Sequence, residues 1–187
     1  MRNTSQPNHP ADFFELVTIN PDDYRQQTRK ATWIIIIVFA ALAMLLSSLS
    51  VMFWGEPGGD NLRLNIAGVA TGLLITAALV RLFSKQPWMA ANLYSWRLKR
   101  SLMSITNVMH HVTAGVAEQN ISAMKLLRFY HLGLIQMHQL DANTSEISQM
   151  VTEVNEHKQR MQELNINCDQ QILNPSWIQE VKKIKTK

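Results

Sequence analysis

The sequence predicts an all-α membrane protein, with a two-helix transmembrane hairpin followed by a cytoplasmic antiparallel helical bundle. Three observations predict it. Residues 31–54 and 64–80 contain no Asp, Glu, Lys or Arg. The loop between them, Gly55 to Arg63, is short and holds Pro57, Gly58 and Gly59. Beyond the second stretch, apolar residues recur at spacings of four and three along three successive segments, the rhythm of one helical face. Charged residues are 17% of the 187-residue chain, below the roughly 25% of an average soluble domain. An evenly soluble globule therefore does not describe the whole chain. Nor does a disulfide scaffold, since Cys168 is the only cysteine.

Residues 1–20 form an N-terminal cytoplasmic segment, expected to be partly disordered. Residues 1–12 are polar and carry Pro7 and Pro10. Phe13, Phe14, Leu16, Val17 and Ile19 make a small apolar patch after them. Asn20 suits a helix cap and Pro21 the first helical position, with Asp22 and Asp23 in the favourable first turn. A helix is thus expected over 21–54, containing span 1 at about 31–54. At about 1.5 Å per residue those 24 residues reach roughly 36 Å, enough for a hydrocarbon core of about 30 Å. Trp33 and Trp54 lie near the span ends and read as interface anchors.

Residues 55–63 read as a short periplasmic loop, so the two spans are neighbours. Span 2 is expected over 62–83, with an uncharged core at 64–80. That core alone gives only about 25 Å of helix. Arg63 and Arg81 bracket it and can snorkel outward, serving as anchors in their turn. All six prolines fall outside the spans, as a lipid-embedded backbone requires. Arg25, Arg29 and Lys30 precede span 1, and Arg81, Lys85, Arg97, Lys99 and Arg100 follow span 2, while the loop holds only Arg63. This asymmetry places both termini in the cytoplasm of a multi-pass membrane protein. A cleavable signal peptide is not expected, because the apolar run is too long and starts too late.

Gly68 and Gly72 form a GxxxG motif with Thr76 one turn on, a stripe that lets another helix approach closely. Ala40, Ala43, Ser47 and Ser50 offer a matching small face on span 1. Packing within the hairpin and a homodimer contact in the membrane both fit this pattern.

Residues 87–187 read as a cytoplasmic helical domain with helices at about 87–114, 120–140, 144–167 and 176–184. Leu98, Leu102, Ile105, Met109, Val112 and Val116 line the first, with Gly115 near its end. Ala123, Leu127, Tyr130, Leu134 and Met137 line the second. Ile147, Met150, Val154, His157, Met161 and Leu164 line the third, for which Asn143 and Glu146 suggest an N-cap pair. The three stripes can cover one another in a bundle. Alternatively, the third helix pairs with another subunit, and periodicity leaves both open.

No acid lies between Asp60 and Glu118. Arg81, Lys85, Arg97, Lys99 and Arg100 therefore form an unopposed basic group, interleaved with Trp88, Tyr94 and Trp96. Contact with anionic lipid headgroups is one reading. The other is that these charges only fix topology. Nucleic acid is not an expected partner, because no recognition motif accompanies the charge.

No catalytic, cofactor-binding or metal-binding residue is assigned. His110 and His111 diverge on a helix, and His131 and His138 sit two turns apart, near 10 Å. A metal site needs histidines from different helices. Glu153 and His157 read as an i,i+4 pair. No phosphate-binding glycine loop, nucleophile elbow or paired-cysteine site occurs. Cys168 reads as an unreactive structural thiol.

Several segments together resemble the bacterial domain of unknown function 3087 family. They are Ile19-Asn20-Pro21 leading to Tyr24-Arg25, then Asn65-Ile66-Ala67-Gly68-Val69 with Gly72, Tyr94-Ser95-Trp96-Arg97-Leu98-Lys99, Phe129-Tyr130 and Leu140-Asp141-Ala142-Asn143-Thr144. They run from about residue 13 to 145. The resemblance implies a bacterial source and a two-span protein, and it supplies no activity. The function expected is a non-enzymatic scaffold or adaptor, as a homo-oligomer or with an unidentified protein partner. The alternatives are a small channel or transporter subunit, and a membrane enzyme with a cross-helix histidine metal site.

Overall fold

The computed structural model describes residues 13–185, so the expected disorder of residues 1–12 lies outside the described residues. Two compact units make up the chain. One is Asp23–Tyr94, and the segments on either side of it form the other. The elements run β1 (Phe14–Glu15), α1 (Pro21–Trp54), α2 (Leu62–Phe83), a 3-10 turn at Pro87–Met89, α3 (Ala90–Thr106), α4 (Met109–Ala117), α5 (Ile121–Leu140), α6 (Thr144–Glu163), β2 (Ile172–Leu173) and α7 (Pro175–Val181).

In the first unit, α1 and α2 are both long and apolar enough to cross a membrane. Their apolar side chains do not form a water-shielded core. Ile37 is 62% exposed, Met44 73% and Leu74 71%. The loop between them closes through a reciprocal pair, in which Glu56 N donates to Asn61 Oδ1 and Asn61 Nδ2 to Glu56 O, both at 3.1 Å. Gly58 turns the chain at φ +75°, a conformation that favours glycine.

The small-residue stripe faces α1 of the same chain. A Cβ at Gly72 would stand 3.0 Å from Ala43 Cα, and one at Gly68 would collide with the backbone of Leu46 and Ser47. Ser47 Oγ donates to Asn65 Oδ1 at 2.7 Å between the two helices. Thr76 is buried and its hydroxyl donates to Gly72 O at 2.8 Å, as Thr71 does to Ala67 O. Of the two packing readings, the structure contains contact within the hairpin.

The second unit is organised around α5, which contacts α4, α6, α7 and β2. Gly133 brings α3 against it, since a Cβ there would meet Leu102 Cδ2 at 2.8 Å. β1 pairs antiparallel with β2, Phe14 opposite Leu173, and Phe14 sets its ring edge-on to Phe129 at 6.4 Å. The sequence pattern does not announce this strand pair. Its two-residue strands are too short for an alternating pattern to show.

A helix surrounded on several sides buries more than one stripe. Met124, Leu126, Phe129 and His131 are buried on α5 besides the expected Ala123 and Leu127, while Tyr130, Leu134 and Met137 are only half-buried. The third helix packs on α5 of its own chain rather than waiting for another subunit. Its Val154, His157 and Met161 are buried.

The helix expected over 87–114 is two helices. Asn107 and Val108 interrupt it, and Val108 N bonds Ile105 O in a tighter turn. Thr106 donates its hydroxyl back to Leu102 O at 3.1 Å, and Thr, Asn and Val are all weak helix formers. The break shifts the seam by one residue, so Val108 is buried and Met109 only half-buried. Gly115 does not end α4, which runs on to Ala117.

The third helix ends at Glu163, short of the expected 167. The reason is a left-handed cap. Gln119, Ala142 and Asn165 have φ of +56°, +58° and +54°. After each, a backbone N–H reaches back to a carbonyl five residues earlier: Asn120 to Gly115, Asn143 to His138, and Ile166 to Met161. These are Schellman closures made without glycine. At the starts, Asn120 caps α5 by accepting from Ala123 N at 3.1 Å, and Asn174 caps α7 from Ser176 N at 2.9 Å. Asn143 makes no side-chain cap on α6. Its Oδ1 accepts from Ser145 Oγ instead, and its N–H is held by the preceding Schellman bond.

Candidate functional site

Most of the unusual chemistry gathers where α5 meets α6 and the loop before β2. His131 on α5 and His157 on α6 are 2% and 5% exposed, and their rings pack edge to face at 5.3 Å. Two histidines from different helices are thus neighbours. His157 Nε2 donates to Met124 O at 3.0 Å, which holds its ring proton there. His131 Nε2 lies 3.3 Å from Glu153 Oε1, so this carboxylate pairs across helices rather than with His157 along its own helix. His131 Nδ1 is buried with no partner among the described residues.

Burial pushes the His131 pKa down to about 4, helped by the charge of His157 and opposed by Glu153. Burial also lowers His157, against its bond to Met124 O. Both rings are therefore neutral at pH 7. No convergence of three or more His, Cys, Asp or Glu able to hold a metal occurs among the described residues.

One turn before His131, Arg128 is 8% exposed. Its Nε donates to Cys168 O at 3.0 Å, and its Nη1 is buried with no acceptor among the described residues. Burial lowers its pKa, while the neighbouring Cys168 and Asp169 act the other way. Arg128 lines a cavity of about 480 Å³ together with Leu16, Ile19, Leu132, Ile135 and Lys158, and Asp169 stands at the same wall. The strap after β1 closes one side. Leu16 N donates to Gln171 O at 2.8 Å, and Gln136 Nε2 to Val17 O at 2.6 Å. Sequence reasoning missed this site. Arg128 falls on a helix face with no motif around it, and its acceptor, the Cys168 carbonyl, lies 40 residues further along the chain.

Among the residues singled out from the sequence, Trp33, Trp54, Arg63 and Arg81 are exposed on the hairpin helices. Lys85 also belongs to that unit, while Arg97, Lys99 and Arg100 lie in the other. Lys99 Nζ is 3.2 Å from Asp141 Oδ2, an exposed ion pair. Arg100 stacks over the Trp96 ring at 5.2 Å. Arg97, Arg100 and Trp96 line a recess of about 380 Å³ with Phe13, Phe14 and Leu173. Cys168 is half-buried, with its Sγ 3.6 Å from the Lys158 and Ile166 carbonyls.

No curated protein and no solved structure matches the chain. A family match extends past the segments that carried the resemblance and takes in α6 and most of α7. Over residues 14–178 the chain matches the family described as "Protein of unknown function (DUF3087)", and it belongs to that family.

Proposed function

We propose that this protein is a two-span anchor in a bacterial inner membrane that presents its helical unit to the cytoplasm as a non-enzymatic scaffold or adaptor. The observation that carries the reading is the exposure of α1 and α2. Side chains such as Ile37, Met44 and Leu74 point outward, with no covering layer of protein around them. Burying one such side chain stabilises by about 1.5–3 kcal/mol, so leaving two full helices of them in water is costly. Lipid removes that cost. The flanking lysines and arginines set both termini inside.

The heptad-like stripes are partly used within one chain, and Tyr130, Leu134, Met137, Ile147 and Met150 stay half-buried. An adaptor would act through what remains outside, where Met103, Ile121 and Val151 are exposed. Arg97 and Arg100 beside Trp96 suit anionic headgroups, with a charged and an aromatic group at one recess. Lys99 contributes less to such contact, because Asp141 already pairs with it.

The alternative of a small channel or transporter subunit would draw on the small and hydroxylated face of the spans. The hydroxyls of Thr71 and Thr76 donate to their own helix, and Ser47 is engaged by Asn65. The alternative of a membrane enzyme needs histidines from different helices at one site, and the pair that meets, His131 and His157, is buried.

Carbonate-washed membranes and thiol labelling test the proposal. The protein should stay with the membrane pellet. Cys168 should resist an impermeant maleimide in intact cells and react after permeabilisation, with a denatured control because the thiol is half-buried. Labelling from outside, or recovery in the carbonate supernatant, would overturn the anchor. Crosslinking in native membranes then separates a second copy from a different partner.

A further inference from the structure

We propose that the recess α3 shares with β1, β2 and the start of α7 is a binding site for one anionic phospholipid, its phosphate on Arg97 and Arg100 and its glycerol and upper acyl region on the apolar wall beside them. The proposal deepens the headgroup contact named above to one site and one lipid class, and it rests on the membrane-anchor reading for the source of the lipid. The starting point is the two faces of α3. Leu98, Leu102 and Ile105 turn inward and are at most 4% exposed. Trp96, Arg100 and Met103, spaced four and three apart, share the opposite face. Trp96 is 57% exposed and Met103 62%, on the side where a helix of a soluble domain ordinarily carries polar groups.

Two positive charges stand unopposed here. Arg97 and Arg100 are both exposed and both line the recess of about 380 Å³. Arg100 lies over the Trp96 ring, and among the described residues neither guanidinium has a hydrogen bond or an ion pair. No acid lines the recess, and none occurs in the chain between Asp60 and Glu118. Phe13, Phe14, Leu173, Pro175 and Ile178 make the facing wall, so hydrocarbon borders the arginines directly. Every one of these residues belongs to the helical unit.

Charge and wall together select the ligand. Free guanidiniums with no counter-charge select an anion, and their donor forks match phosphate oxygens. The apolar wall selects an anion that carries hydrocarbon. A choline or ethanolamine headgroup would bring its own cation to a recess that already holds two, so zwitterionic lipids fit less well. A phosphatidylglycerol headgroup carries one negative charge and no cation. Trp96 and Met103 then rest at headgroup level, where tryptophan is favoured and where apolar side chains beside basic ones leave the water. Thirteen positions separate Phe83, the last residue of α2, from Trp96, so the chain holds this face within about 45 Å of the end of span 2. Such a tether keeps the lipid at high effective concentration.

The experiment uses the full chain in mild detergent, titrated with phosphatidylglycerol, with phosphatidylcholine of the same acyl chains, and with glycerol phosphate, and counts bound molecules by native mass spectrometry. The expected result is a first phosphatidylglycerol bound about tenfold more tightly than phosphatidylcholine. Glycerol phosphate, the same headgroup chemistry without hydrocarbon, should leave no adduct at concentrations where the lipid saturates. Arg97→Gln combined with Arg100→Gln should reduce the preference to about twofold or less, and each single replacement should take part of it. Lys99→Gln is the control. It removes the same charge from between the two arginines, but from a side chain that Asp141 already pairs, and should leave the preference within about twofold of the wild type. All three positions are exposed, so folding should be unaffected. Equal binding of the two lipids, a preference unchanged in the double variant, an equal loss in Lys99→Gln (the mark of diffuse attraction), or glycerol phosphate adducts as abundant as those of the lipid would each overturn the site. Carbonate extraction and lipid counting fail separately, because the first depends on α1 and α2 and the second on α3.

Discussion

The buried histidine pair makes the helical unit sensitive to acid, and His131→Phe isolates the effect. The His131 pKa falls from an ordinary 6.5 to about 4 on folding, chiefly through burial. Its stabilising contribution is therefore complete above the unfolded value of 6.5 and is lost as pH falls toward 4. Between those limits the unfolded chain binds a proton that the folded chain refuses. At about 1.4 kcal/mol per pKa unit, the loss is about 3 kcal/mol. His157 adds a loss of the same direction. The groups facing His131 are His157 and Glu153 from α6 and Arg128 from its own helix, and only Glu153 favours the charged ring. Phenylalanine keeps a flat ring against His157 and removes the titrating nitrogens. Urea unfolding of the full-length protein in mild detergent, read by circular dichroism at about pH 7.5 and 4.5, gives four stabilities. The wild type should lose about 2–3 kcal/mol more than His131→Phe between the two pH values. Equal losses in both proteins would refute the assignment, since the carboxylates common to both cancel in the difference.

Ala142→Gly should stabilise the protein by about 1 kcal/mol in the same assay, because residue 142 sits at φ +58°, where a Cβ is strained. Destabilisation would mean that the cap relaxes elsewhere. Asn120→Ala removes the acceptor for Ala123 N at the start of α5 and should cost about 1 kcal/mol. Phe129→Ala should cost about 3–5 kcal/mol, since that ring is fully buried and Phe14 packs on its face. Limited proteolysis of Phe129→Ala should cut first near residues 13–19, and unchanged protection there would separate the strap from that contact. Gly72→Ile forces a branched side chain against the Ala43 backbone. Cysteines introduced at Ser47 and Asn65, whose side chains touch, should then crosslink less efficiently than in the parent hairpin, and undiminished crosslinking would place the stripe elsewhere.

The parts of this fold that were legible in the sequence are those governed by one-dimensional chemistry. Two uncharged runs of 24 and 17 residues announce α1 and α2 whatever surrounds them. Asn before Pro marks the starts of α1 and α7, because the capping oxygen and the proline both act within two or three residues. The three-dimensional parts were not legible. A stripe at spacings of four and three assumes one buried face, and α5 is contacted on several, so Met124, Leu126 and Phe129 lay outside the expected seam. The ends of α4, α5 and α6 carried no glycine to read, since Gln119, Ala142 and Asn165 take the left-handed position.

The candidate site combines both failures. Arg128 looks like an exposed helix charge, and the strap from residues 14–19 that lines the same cavity depends on two strands of two residues each. Its pairing partner at 172–173 is more than 150 residues away in sequence. No local pattern can specify such a contact, because the information resides in which surfaces remain to be covered once α5 has its other neighbours.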